Sequence, residues 1–94
     1  MDKWTVRDRH GQEVYLTGER WQHILSRHKA PANHRDDVLS TIRTGRRRQD
    51  LLTPFKYFYS HRCDTLPGLY NSITVVVLSR PGNVYVVTAW PETV

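Results

Sequence analysis

Residues 72–90, "SITVVVLSRPGNVYVVTAW", decide the fold of this 94-residue chain. Val, Ile and Thr crowd both ends of the stretch, and branching at Cβ favours a pleated strand over a helix. Pro81, Gly82 and Asn83 between them are turn residues, Gly because it accepts positive φ. Two such runs on so short a link predict an antiparallel hairpin. Each run is apolar almost throughout, so residues 75–78 and 84–89 are expected at the centre of a sheet.

Upstream, "KYFYSHR" (56–62) alternates, with Tyr57, Tyr59 and His61 on one side and Phe58 on the other, which predicts a neighbouring strand. "CDTLPGLYN" (63–71) reads as a loop, and "RRRQDLL" (46–52) as either a strand or an extended link. The period then changes to that of helices. Trp21, Ile24, Leu25 and His28 recur at helical spacing over residues 18–28, with Arg20, His23 and Arg27 on the other side. Thr17 is placed to cap that helix and Pro31 to end it. A second helix, "HRDDVLSTIRTG", has Asn33 as its expected cap, Val38, Leu39 and Ile42 inward, and Gly45 as its stop. At the start, residues 3–9 and 12–16 form two short extended runs about His10-Gly11. The sum is a single α+β domain over residues 1–94. It has an N-terminal β-hairpin and two helices packed on one face of a three- to four-stranded antiparallel sheet.

Composition narrows the function. Fourteen Lys and Arg against nine Asp and Glu leave a net charge of +5, and most of the cations are arginine. Arginine matches a phosphate with a planar fork, so a polyanionic partner is expected, nucleic acid first. No apolar run reaches the length of a membrane span, and "MDKWTVRDR" lacks the apolar stretch of a secretory signal. Cys63 is the only cysteine, which excludes an internal disulfide. A reducing cytoplasm and no membrane contact are the expectation.

The residues able to carry chemistry are His, Arg, Tyr and Thr. His28 lies in the last turn of the first helix on its packed side, a place that suits an acid/base imidazole or a half-buried structural histidine. His23 faces solvent by the same phase. Arg46, Arg47 and Arg48 read either as a phosphate clamp or as an edge strand defended by charge. If extended, Arg46 and Arg48 share one face and Arg47 takes the other. Tyr57, Tyr59 and His61 could contact bases or phosphates or pack beneath the helices. Thr88, by simple alternation, shares a face with Val86 and Trp90. His28, His34, His61 and Cys63 match no familiar metal-ligand spacing, so no metal and no cofactor are expected.

"LTGERWQHILSRH", the second helix, "YFY" and the closing "VYVVTAWP" resemble the phage-type branch of the barnase–EndoU–colicin–RelE-like nuclease superfamily, over residues 12 to 91. The "W-x-H-I-x-x-R-H" helix and the "V-V-T-A-W" strand carry most of the likeness, while "TGRRRQD" departs from the Asn-Pro-Asp-like turn of the pattern. The resemblance implies metal-independent RNA cleavage by a toxin or effector, with an antitoxin or immunity protein as a partner. His23, Arg27, His28, Tyr59 and Thr88 are the matching catalytic positions, and Arg46, Arg47, Arg48, Tyr57 and His61 the expected substrate contacts. Such cleavage uses the 2′-hydroxyl as nucleophile and needs a base, an acid and cations for the phosphorane charge. The competing expectation is a non-catalytic basic module that binds nucleic acid or an acidic protein. Convergence of His28, Tyr59 and Thr88 on one phosphate-sized space separates the two.

Overall fold

The computed structural model describes residues 2–28 and 34–94, with only the backbone of His28. In chain order the elements are β1 (Lys3–Arg7), β2 (Glu13–Thr17), α1 (Gly18–His28), α2 (Arg35–Thr44), β3 (Arg46–Gln49), β4 (Lys56–Arg62), β5 (Ser72–Arg80) and β6 (Asn83–Glu92). They build an α+β domain whose strands form one sheet in the order β1-β2-β6-β5-β4-β3. Residues 72–92 are the expected hairpin, turning at Gly82 with φ +72°, and β5 and β6 lie at the middle of the sheet.

The sheet is larger than the three or four antiparallel strands expected. The N-terminal hairpin is not a separate flap, because β2 joins β6 in parallel through Tyr15 and Tyr85. Val14 and Leu16 of β2 are wholly buried, and a free hairpin could not have hidden them. The arginine run resolves as a strand, β3, at the far edge.

Both helices lie over one face. α1 packs on β6 and β2, and α2 on β5, β4 and β1. The Thr17 hydroxyl accepts the Arg20 N–H at 3.1 Å, the expected cap of α1. Trp21 and Ile24 enter the core from α1, and Val38, Leu39 and Ile42 from α2. They meet Ile73, Val75, Val77, Val86 and Ala89 of the central hairpin. Pro31 and Asn33 lie outside the described residues, and His34 holds the N-cap position of α2 without a side-chain cap bond.

Gly45 stops α2, as expected, but not through a left-handed conformation: its φ is −78° and ψ 170°. Its reason is space. A Cβ there would sit 2.3 Å from the Thr41 carbonyl oxygen and 2.6 Å from that of Ser60. Only glycine lets the end of α2 press onto β4, so that β3 starts at the next residue.

Candidate nucleic-acid interface

Pairing register distributes the arginines. Arg46 stands opposite Ser60, Arg47 opposite Tyr59 and Arg48 opposite Phe58. Directly opposed residues share a face. Arg46 and Arg48 therefore project on the open side with Ser60 and Phe58, while Arg47 turns to the helix-covered side with Tyr59. The expected division of the run is observed.

On the open side, β4 pairing carries the face onward from Ser60 to Thr74 and from Arg62 to Ser72. Together with Glu92 these residues line a groove of about 580 Å³ bordered by Arg46, Arg47, Arg48 and Arg62. The Arg48 guanidinium lies over the Phe58 ring, 4.7 Å from its centre. Glu92 is the one acidic side chain among the lining residues, and Thr74 Oγ1 donates to its Oε2 at 2.6 Å. Hydrogen bonds from Thr74 and from Trp90 hold Glu92 below the ordinary glutamate range, against a smaller opposing effect of burial. It stays an anion at neutral pH. A second depression, of about 620 Å³, carries mixed charge from Lys3, Glu13 and Arg80. Concentrated cation is thus a property of the first groove.

The covered side holds a different cluster. Asp8 follows β1, and its side chain is fully screened from solvent. Its Oδ1 accepts the backbone N–H groups of His10 and Gln12, each at 2.9 Å, which fixes the first hairpin turn. Its Oδ2 accepts the Tyr59 hydroxyl at 2.6 Å and lies 3.6 Å from a guanidinium nitrogen of Arg47. β1 and β4 are four places apart in strand order, so the sheet curls until its two ends meet over the core. Burial pushes the Asp8 carboxyl up, but the Tyr59 hydroxyl, the two backbone N–H groups and the Arg47 charge outweigh it and hold the pKa below its usual value. Burial, followed by the bond to Asp8, pushes the Tyr59 hydroxyl far above the usual tyrosine range. Arg47 completes the cluster by stacking on Tyr57 at 4.7 Å.

These positions separate the residues expected to act together. Tyr59 is 2% exposed and engaged by Asp8, so it is a buried strut and not an open donor. Thr88 pairs with Val76, which also pairs with Phe58, and so faces the open side. Simple alternation had put Thr88 with Val86. A bulge between Val76 and Val77 inserts an extra residue in β6, leaving Val86 and Ala89 in the core and Thr88 opposite them. Tyr59 and Thr88 therefore do not converge. His23 and Arg27 sit on α1, half-buried and exposed respectively, and neither lines the groove. The His28 side chain lies outside the described residues. Of the expected substrate contacts, Arg46, Arg47, Arg48 and His61 line the groove, Arg47 with its guanidinium turned over Tyr57 on the other side.

Sequence reasoning missed Asp8, Arg62, Thr74 and Glu92. Their types were visible, but their meeting depends on register. Counting back from the Gly82 turn pairs Thr74 with Ala89, and the bulge moves it to Trp90.

No family model matches this chain, and no curated protein or solved structure is significantly similar to it.

Proposed function

We propose that the protein holds single-stranded RNA by its phosphates in the groove on the open side of the sheet. The observation that carries the reading is the gathering of Arg46, Arg48 and Arg62 around one groove beside the half-buried ring of Phe58. Arginine forks match phosphate oxygens, and an aromatic ring with a stacked guanidinium suits an unpaired base. An acidic antitoxin or immunity protein would compete for the same cations. Affinity for a labelled single-stranded RNA, measured across salt concentrations, tests the proposal. Replacing Arg46, Arg48 and Arg62 by Gln is expected to lower affinity and make the dependence on log salt shallower by about 2, as three phosphate contacts require. An unchanged slope would refute it.

Cleavage of the bound RNA is the second reading, and Glu92 favours it. A carboxylate held ionised in the groove is placed to take the 2′-hydroxyl proton and, once protonated, to return it to the leaving 5′-oxygen. The arginines would stabilise the phosphorane. This endoribonuclease needs no metal in its chemical step and leaves a 2′,3′-cyclic phosphate. Glu92→Gln is expected to cut single-turnover cleavage in EDTA by about 10²- to 10⁴-fold while RNA affinity stays or rises. Wild-type protein that binds RNA but leaves it whole is a binding module.

A further inference from the structure

A third group of chemically active side chains lies where the start of α2 meets the end of β4. His34 at the start of α2, Asp37 one turn on, and Cys63 just past β4 bring a ring nitrogen, a carboxylate oxygen and a thiol sulfur within 4.8 Å of one another. His34 is buried, with Nδ1 only 2.6 Å from Asp37 Oδ2, while the Asp37 side chain is 37% exposed and opens the group to solvent. Cys63 Sγ rests 3.4 Å from the Thr65 hydroxyl.

We propose that His34, Asp37 and Cys63 form a binding site for a divalent cation of zinc type. Three observations favour zinc over harder cations. The donors are one nitrogen, one sulfur and one oxygen, a mixture that zinc accepts and that magnesium and calcium do not. The donors are already gathered. In a tetrahedral zinc site adjacent ligand atoms stand roughly 3.3–3.6 Å apart, given bonds of about 2.0–2.3 Å, so closure from 4.8 Å takes side-chain rotation of about an ångström. Finally, the donors come from two separate stretches, the start of α2 and the end of β4, which a cation would tie together. Three protein ligands leave a fourth position for water. Binding releases the Cys63 thiol proton and leaves a neutral imidazole on His34, so affinity rises with pH.

The site is independent of the RNA reading, because none of its three residues lines the arginine groove. The test is a titration of the whole chain with Co²⁺ as a spectroscopic stand-in for zinc. A thiolate-to-cobalt charge-transfer band should grow to saturation at one ion per chain and vanish on addition of one equivalent of Zn²⁺. Cys63→Ser is expected to abolish the band. Asp37→Asn, on the exposed side of the site, is expected to weaken binding at least about tenfold with the circular dichroism unchanged. No band at millimolar Co²⁺, or an Asp37→Asn midpoint equal to that of the wild type, overturns the proposal.

Discussion

Arg47 and Arg48 are neighbours on one short strand, and the pleat sends them to opposite sides of the sheet. Arg47 stacks on Tyr57 and faces the buried Asp8 carboxylate; Arg48 lies over Phe58 at the edge of an open groove. The covered side thus spends its polar groups on one another. Asp8 alone receives two backbone N–H groups, a tyrosine hydroxyl and a guanidinium. The open side leaves its cations facing solvent, with Glu92 as the one acidic side chain among the residues lining the groove. Polar residues of similar kind therefore serve cohesion on one face and, in the proposed function, recognition on the other. Chemical type does not distinguish the two roles; pairing register does.

That contrast breaks most visibly at Asp8. Asp8→Ala leaves the Tyr59 hydroxyl, a guanidinium and two turn N–H groups without their acceptor, and is expected to cost about 3 kcal/mol. Urea denaturation would read this as a lower midpoint with an unchanged slope. Tyr59→Phe removes one of those bonds and should cost about 1–2 kcal/mol. By comparison, Arg48→Gln should alter stability by no more than about 0.5 kcal/mol, since its surroundings are solvent and one ring.

Acid and alkali sharpen the comparison. The folded pKa of Asp8 lies below its ordinary 3.8, so its stabilising contribution is complete above that value and lost as pH falls through the lowered one. The folded pKa of Tyr59 lies above its ordinary 10.0, so its contribution is complete below pH 10 and lost as pH rises beyond it. Midpoints measured against pH should fall at both extremes. Asp8→Asn should make the acid limb shallower, and Tyr59→Phe the alkaline limb. A wild-type profile in both variants would remove the cluster from the account of stability.

The fold was legible where it rests on local pattern. The β-branched runs, the Gly82 turn, the Thr17 cap and the apolar periods of both helices each follow from residues close in sequence. The parallel junction of β2 with β6 was not, because the signal for it is only that Val14 and Leu16 need cover. The groove was half legible. The arginine run announced itself and its division between faces followed from the pleat. Glu92 and Thr74 did not, since one bulge moves their pairing by a residue. Asp8 was least legible of all: its decisive partner, Tyr59, lies 51 residues away. The constellation read from resemblance placed Tyr59 and Thr88 together, and the same bulge, with the Asp8 bond, sets them on opposite sides.

The most direct test of the division between faces measures RNA affinity against salt for two variants in parallel, both well below their melting temperatures. One carries Gln at Arg46, Arg48 and Arg62; the other carries Gln at Arg47 alone. The groove variant should lose affinity and shift the salt slope by about 2 while keeping its melting temperature. The Arg47 variant should melt earlier and bind RNA with the wild-type slope. If Arg47→Gln instead reproduces the loss of affinity and the groove variant binds as wild type does, the open side is not where RNA is held.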